Sequence, residues 1–315
     1  MMGRTAVVIV TRNKQETLLR CVASALRLRG PLTKVVVVDN ASTDGSADAL
    51  ARAFPEVTLV RNAKNLGPAG GRNAGWRCLG SEEAAEYLLF FDDDSIPTPD
   101  YLTTLLEAAA LDHDAGIVCG KGYTKFPSRT IMSVGVTVSL WTGRISDIGV
   151  GERDVGQFDA PRYVDACGGF GMLVRRDTLE ALDGFDERFW PYGWEDVDLC
   201  LRARQHGCRT LYVPDAVVYH EGGKIGRKPV AAYERSKIKN YFLLLRCHAT
   251  LSQKVACVIC APLRALGLLV TLVMQGQARI VGAHLHGLVD AIQALRVREF
   301  AGSTRQPANP KTGGP

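Results

Sequence analysis

Four short apolar runs set the limits on what this chain can become: Ala6 to Val10, Val35 to Val38, Val57 to Val60 and Tyr87 to Phe91. Each is short, continuous rather than alternating, and mostly β-branched or aromatic, the pattern of a strand covered on both faces. Between the first two, Leu18, Val22, Ala25 and Leu26 recur at helical spacing until Gly30 and Pro31 stop the helix. The unit then repeats, with a turn over Asp39 to Gly45, a helix near Ser46 to Phe54, and the third run. Strands separated in this way by helices predict an α/β fold with a Rossmann-like, mostly parallel central sheet. In such sheets ligands sit beyond the carboxyl ends of the strands. Here the runs lead into Thr11, Asp39 and the triplet Asp92, Asp93, Asp94, which should therefore share one edge.

Further along, Thr98 and Pro99 read as the cap and first residue of a helix reaching Leu111. Shorter, glycine-broken strands from Gly116 to Arg176 are expected to form a smaller acceptor-side subregion, and a helix EDVDLCLRARQHG and a strand Thr210 to Tyr219 close the unit. This divides the 315 residues into an α/β domain over 1–225, a basic and apolar helical region over 226–300, and a disordered tail over 301–315 rich in Gly, Pro, Thr and Asn. With 46% hydrophobic and 23% charged residues the chain as a whole is globular in composition.

The net charge of +5 is unevenly placed, because Lys224 to Lys254 holds eight Lys or Arg against one acid, Glu234. That block points to an anionic partner or surface. Val255 to Val273 after it is long enough to cross a bilayer as one helix, but Pro262 breaks such a helix and Arg264 sits at its centre. Helices lying in a membrane interface fit better, with a helical appendage packed on the core as the alternative. The beginning, MMGRTAVVIVTRN, lacks the features of a signal peptide. The nine cysteines show no paired spacing and are read as reduced residues on apolar faces. A cytoplasmic location is expected, peripheral on the inner face of the plasma membrane. No nucleic-acid partner is expected, and nothing in the sequence sets the oligomeric state.

Three adjacent carboxylates repel one another unless a cation or hydrogen-bond donors offset them. A hard divalent ion, Mn²⁺ or Mg²⁺, does this while keeping positions for substrate phosphates. Alternation along a strand lets Asp92 and Asp94 share a face while Asp93 points elsewhere; the alternative is a solvated acidic turn. Glu195 and Asp196 follow Trp194 in FWPYGWEDVDL, an aromatic setting suited to a substrate wall, where a carboxylate can serve as general base. Acids also favour a helix start for structural reasons alone. His220 closes a strand before Glu221, Gly222 and Gly223, and the dense stretch Asn65, Gly67, Gly70, Gly71, Arg72, Asn73, Gly75 is read as lying before a helix, where backbone donors meet an anion. That stretch fails the spacing of the Walker loop and of the dinucleotide fingerprint.

In order, VIVTRN, VVDNASTDGS, NLGPAGGRNAG, FDDDSIPTPDYL, DACGGFGMLVRR, GGFDERFWPYGWEDVDLCLRARQHG and VVYHEGG resemble the family 2 glycosyltransferases of the GT-A fold, from about Ala6 to Gly223. The resemblance implies an inverting, metal-dependent transfer of a sugar from a nucleotide-diphosphate sugar to an acceptor hydroxyl. It assigns Thr11 and Asp39, with Arg12 beside them, to the nucleotide base and Asp92 to the ribose. Asp94 and His220 would hold the metal, and Asp196 would be the catalytic base, with Glu195 able to share that role. Asn65, Gly71, Arg72 and Asn73 would line the donor together with Asp93, the third acid where the family's pattern uses two. Gly168, Gly169 and Trp194 would shape the sugar and acceptor site. The chain is similar to bacterial rhamnosyltransferase-like members. That likeness implies a dTDP- or UDP-sugar, dTDP-rhamnose among them, and a lipid-linked acceptor in polysaccharide, cell-envelope or glycosylated-metabolite synthesis. A sugar nucleotidyltransferase is disfavoured because TRNKQETL after the first strand holds no glycine. A non-catalytic nucleotide-sugar-binding protein would be expected to have lost the acids that this chain keeps.

Overall fold

The computed structural model describes residues 3–80, 85–222, 230–260, 274 and 278–296. Gly223, the basic residues Lys224, Arg227 and Lys228, positions 261–273 of the apolar stretch, and the tail over 301–315 lie outside the described residues.

The opening alternation forms as expected. β1 (Thr5–Thr11), α1 (Gln15–Ala25), β2 (Leu32–Asp39), α2 (Ser46–Ala53), β3 (Thr58–Arg61), α3 (Gly67–Arg77) and β4 (Tyr87–Asp92) follow one another. β1 pairs in parallel with both β2 and β4, and β2 with β3. Alternate residues of β1 feed opposite layers. Val7 and Ile9 pack with Leu18, Cys21 and Val22 of α1, while Val8 joins Val36, Val38 and Ala69 on the other side. Burial on both faces is why these strands read as unbroken apolar runs.

After β4 come β5 (Ser95–Pro97), α4 (Tyr101–Leu111), β6 (Ala115–Tyr123), β7 (Ile131–Ser133), β8 (Val136–Ser139), β9 (Arg144–Asp147), β10 (Arg162–Val164) and β11 (Met172–Arg175). Next are α5 (Arg176–Ala181), α6 (Glu195–Gln205) and β12 (Arg209–His220). The main sheet has ten strands in the order β10-β12-β6-β11-β4-β1-β2-β3, with β5 on β12 and β7 on β6. β11 runs antiparallel between β4 and β6, so part of the stretch expected as a smaller subregion also supplies strands to the central sheet. Only the β8–β9 hairpin forms a sheet of its own among the described residues.

Two local expectations are corrected. The helix after Thr98 begins at Tyr101 with Asp100 before it, and the Thr98 hydroxyl instead donates to the Val217 carbonyl at 3.0 Å. The glycine-dense stretch is α3 itself rather than a loop ahead of a helix. A Cβ on Gly71 would lie 2.5 Å from Val10 Cγ1, and one on Gly75 would lie 2.4 Å from Val8 Cγ1. These glycines let a helix press onto β1, so close packing rather than anion binding sets their spacing. All nine cysteines are free; Cys21, Cys119, Cys167, Cys200 and Cys257 are buried, but Cys78 and Cys247 are exposed, against the expectation of apolar faces throughout.

Beyond the sheet, α7 (Ala231–His248), a helical stretch over 251–260 and α8 (Ala278–Arg296) are described. Among the described residues no helix is long and apolar enough to cross a membrane. α8 packs on α7, where Gly287 admits the Arg235 carbonyl and Asp290 pairs with the Arg235 guanidinium at 2.5 Å. α7 is fixed to α6 by a buried group: Asp198 accepts from Arg202 Nε at 2.7 Å and lies 2.7 Å from His248 Nε2.

Burial alone pushes the Asp198 carboxyl up, but the His248 hydrogen bond and the Arg202 and His248 charges outweigh it and hold the group below the usual carboxylate range. A carboxylate whose value falls on folding stabilises the fold above its unfolded value of about 4, and that contribution is lost as pH drops through the folded value. Urea unfolding should therefore show wild type losing more stability than Asp198→Asn on acidification from about pH 6 to about pH 3. Asp198→Ala should cost about 3–5 kcal/mol near neutrality, because it removes the buried carboxylate that Arg202 and His248 share.

Candidate functional site

The sheet register brings the predicted acids together. Thr11 lies opposite Asp39 and Val10 opposite Asp92, so β1, β2 and β4 end level with one another. Beyond Asp92 the chain turns through Asp93 and Asp94 into β5, which places Ser95 opposite His220 of β12. Residues more than a hundred positions apart in sequence thereby meet at one edge.

The triplet divides its work, with Asp93 and Asp94 in the turn after β4 rather than on the strand. Asp93 turns inward, where its Oδ2 accepts from the Thr11 hydroxyl at 2.8 Å. Asp94 Oδ1 lies 2.9 Å from His220 Nε2 and Asp92 Oδ2 lies 3.6 Å from the same atom. The His220 ring stacks on Phe170 with centroids 4.8 Å apart, and its Nδ1 is buried without a hydrogen-bond partner. Burial works against the imidazolium, but the Asp94 hydrogen bond and the charges of Asp94, Asp92 and Asp93 prevail and raise its pKa. Asp93 is pushed up to about 7, chiefly by burial and by Asp94, against the Thr11 hydrogen bond.

Among the described residues no group of three or more His, Cys, Asp or Glu side chains is arranged to hold a metal ion by itself. Asp94 and His220 nonetheless converge on one point with Asp92 at its side. Two protein donors fit a cation whose remaining positions are taken by water and a diphosphate.

Across the cleft, Arg72 of α3 is buried between both halves of the site. Its Nη2 donates to Asp92 Oδ1 at 2.8 Å and its Nη1 to Glu195 Oε1 at 2.9 Å. Burial opposes its charge, but Asp92, Glu195 and Asp196 more than restore it, so its pKa rises. Glu195 accepts a second bond, from the Gly193 N–H at 3.1 Å, and so is tied into the framework. Asp196 is half-buried, with Oδ2 accepting from the Gly169 N–H at 3.2 Å and Oδ1 from the Val197 N–H at 2.8 Å. Its pKa is raised by burial against the pull of Arg72 and these two N–H groups, and that of Glu195 by burial and by Asp196. Of the two acids, Glu195 is buried and bound by the Arg72 guanidinium, whereas Asp196 is the more exposed.

The remaining predicted residues divide between edge and scaffold. Asp39 accepts from the Ser42 N–H at 3.2 Å, fixing the turn after β2, and Arg12 is exposed in the bend after β1. Asn65 accepts from the Gly67 N–H at 3.0 Å and opens α3, while Asn73 is buried and donates to the Phe185 carbonyl at 2.8 Å. Gly168 and Gly169 lie beside Asp196, and a Cβ on Gly169 would stand 2.1 Å from Arg72 Nη2. Trp194 precedes α6 with φ of 74°, a strained value for a bulky residue, and its indole donates to the Lys237 carbonyl at 2.9 Å. Three contributors escaped sequence reasoning. Lys14 Nζ lies 3.7 Å from Asp94. Tyr192 rises toward the acids, its phenol pKa pushed up by burial and by Asp92, Glu195 and Asp196. Asn240 of α7 donates to the Phe189 and Tyr192 carbonyls at 2.6 and 3.0 Å. The aromatic run FWPYGW marked Tyr192; nothing local marked Asn240.

Comparison with known proteins places this geometry. The family described as glycosyltransferase-like family 2 matches residues 3–242. N-acetylglucosaminyl-diphospho-decaprenol L-rhamnosyltransferase of Mycobacterium tuberculosis is 29% identical over 270 residues, covering 77% of this chain and 84% of that protein. Among solved structures, a mannosyltransferase from Pyrobaculum calidifontis in complex with GDP-Man and Mn²⁺ superposes with a TM-score of 0.58 at 19% identity, over 93% of this chain and 88% of that one. GalNAc-T7 with UDP, GalNAc and Mn²⁺ gives 0.59 at 17% identity, over 78% of this chain and 48% of that longer one. These likenesses establish the GT-A fold expected from the motif order.

Gly169 supplies the test of the site's packing. The atoms that a Cβ would meet belong to a buried guanidinium held by two carboxylates, so it cannot swing aside. Gly169→Ala should lower stability by about 1–3 kcal/mol through overpacking against that guanidinium. Unchanged urea unfolding would contradict this reading.

Proposed function

This chain belongs to the glycosyltransferase-like family 2, and from that premise we propose that it is an inverting, metal-dependent transferase that moves a sugar from a dTDP- or UDP-sugar to an acceptor hydroxyl. The observation that carries the reading is the placement of Asp196. Its carboxylate faces the donor edge across Arg72, oriented by the Gly169 and Val197 N–H groups and raised in pKa by burial. In a single displacement, the acceptor oxygen forms its bond to the anomeric carbon while its proton passes to Asp196. The bond from that carbon to the diphosphate breaks, and the electron pair leaves with the diphosphate. General-base assistance of this kind contributes about 10²- to 10⁴-fold.

The residues of the edge divide the remaining tasks. Thr11, Arg12 and Asp39 receive the nucleotide base and Asp92 the ribose. Asp94 and His220 hold Mn²⁺ or Mg²⁺, whose part when bound is to offset the charge on the departing diphosphate. Arg72 keeps Asp92 and Glu195 in place, and Glu195 supports the base rather than replacing it. Gly168, Gly169 and Trp194 border the space left for the transferred sugar. The matching mycobacterial enzyme is named for a decaprenol-linked diphosphate acceptor and a rhamnosyl group. By that likeness we assign this chain a lipid-linked acceptor, with dTDP-rhamnose the first donor to test, in cell-envelope polysaccharide synthesis.

Asp196→Asn should lower turnover by about 10²- to 10⁴-fold and leave calorimetric donor binding nearly unchanged, since only the proton acceptor is lost; normal turnover in that variant would reject the assignment. Titration with UDP and with dTDP should show binding of one of them that requires Mn²⁺ and that Asp94→Asn abolishes. Metal-independent binding of equal strength would overturn the metal role of Asp94.

A further inference from the structure

The two outer helical segments carry apolar side chains that the protein does not cover. In the helical stretch over 251–260, Leu251, Val255, Val258 and Ile259 are all exposed, Val258 and Ile259 at 72% and 70%. Their spacing puts them on one face of a helix. The opposite face is the one used internally, where Cys257 is buried and its thiol donates to the Leu140 carbonyl at 3.0 Å. α8 repeats the arrangement. Ile280, Ala283 and Ala291 are buried and Gly287 sits against α7, while Leu285, Leu288, Val289 and Ile292 recur at helical spacing and are exposed, Leu285 at 60%. Scattered exposed aliphatics are ordinary, but aligned stripes on two successive helical segments mark an interaction surface.

Charge identifies what covers it. From Arg246 to Arg296 the sequence holds five Lys or Arg (246, 254, 264, 279, 296) and one acid, Asp290, and that acid is already paired with Arg235 at 2.5 Å. Apolar stripes in a basic setting complement an anionic bilayer surface, where apolar side chains enter the acyl boundary and cations meet lipid phosphates. We propose that the outer faces of residues 251–260 and of α8 dock this protein on an anionic lipid surface, the helices lying in the plane of the interface. The surface lies outside the proposed donor and acceptor machinery, and the proposal does not rest on either assignment.

The test is co-sedimentation of the full chain with extruded vesicles of phosphatidylglycerol mixed with phosphatidylcholine, and of phosphatidylcholine alone. Two paired variants, Val258→Asp with Ile259→Asp and Leu285→Asp with Val289→Asp, each alter exposed positions only and should keep the wild-type unfolding midpoint and nucleotide binding. Expected are preferential binding to the anionic vesicles, its loss at high salt, and a drop of about tenfold or more in partitioning for each pair, since each replaces two apolar side chains with charged ones. No binding, binding indifferent to the anionic lipid, or binding unchanged in both variants overturns the proposal. So does self-association of the wild type that both pairs abolish, which would assign the face to a second copy.

Discussion

A buried guanidinium holds the site together. Arg72 is brought to the sheet edge by a helix that must lie close on β1, and it bonds Asp92 from the central sheet and Glu195 from α6 at once. The buried Glu195 carboxylate would be costly in that position without it, and Arg72 would be costly without its two acids. Lysine has no planar fork with which to reach two acids on separate elements. The glycines of α3 allow the approach, Gly169 leaves the space the guanidinium occupies, and Phe185 lies under it with Cζ 5.3 Å from the ring centroid. The proposed donor edge and the proposed base are thus one electrostatic unit, and changing any acid in it alters the balance felt by the others.

Much of this was legible along the chain because it depends on local pattern. Continuous Val runs report strands covered on both faces, and in a parallel sheet the residues after such runs arrive at a common edge; Thr11, Asp39 and the triplet Asp92, Asp93, Asp94 needed no further information. Strand alternation pointed Asp93 away from Asp92 and Asp94, but it is the turn after β4 that separates them. What depends on the path of the chain in three dimensions was not legible. Arg72 and Asn73 were expected in a loop lining an anion because glycines are ambiguous between anion cradles and packing contacts, and only the nearness of Val8 and Val10 decides between them. The insertion of β11 between β4 and β6 was hidden too, since a four-residue strand carries little signal of its partners.

The outer helices have two sides with different duties. Toward the sheet, α7 supports the site through Asn240 and through the Lys237 carbonyl that receives the Trp194 indole, and the buried Asp198–His248 pair fixes α6 to α7. Away from the sheet, the same helical region presents aliphatic stripes. The surface proposed to meet lipid and the helix that carries the proposed base therefore belong to one set of packed helices.

The segment from Trp190 to Trp194 is fastened along its whole length. The Trp190 indole donates to the Asn65 carbonyl at 3.3 Å, Asn240 holds the Tyr192 carbonyl, and the Trp194 indole closes the other end. Its conformational entropy has been surrendered once, during folding, and need not be surrendered again at each catalytic cycle. In the proposed reaction, Asp196 therefore meets an acceptor from a fixed angle, which leaves selectivity among acceptors to the shape of the opening.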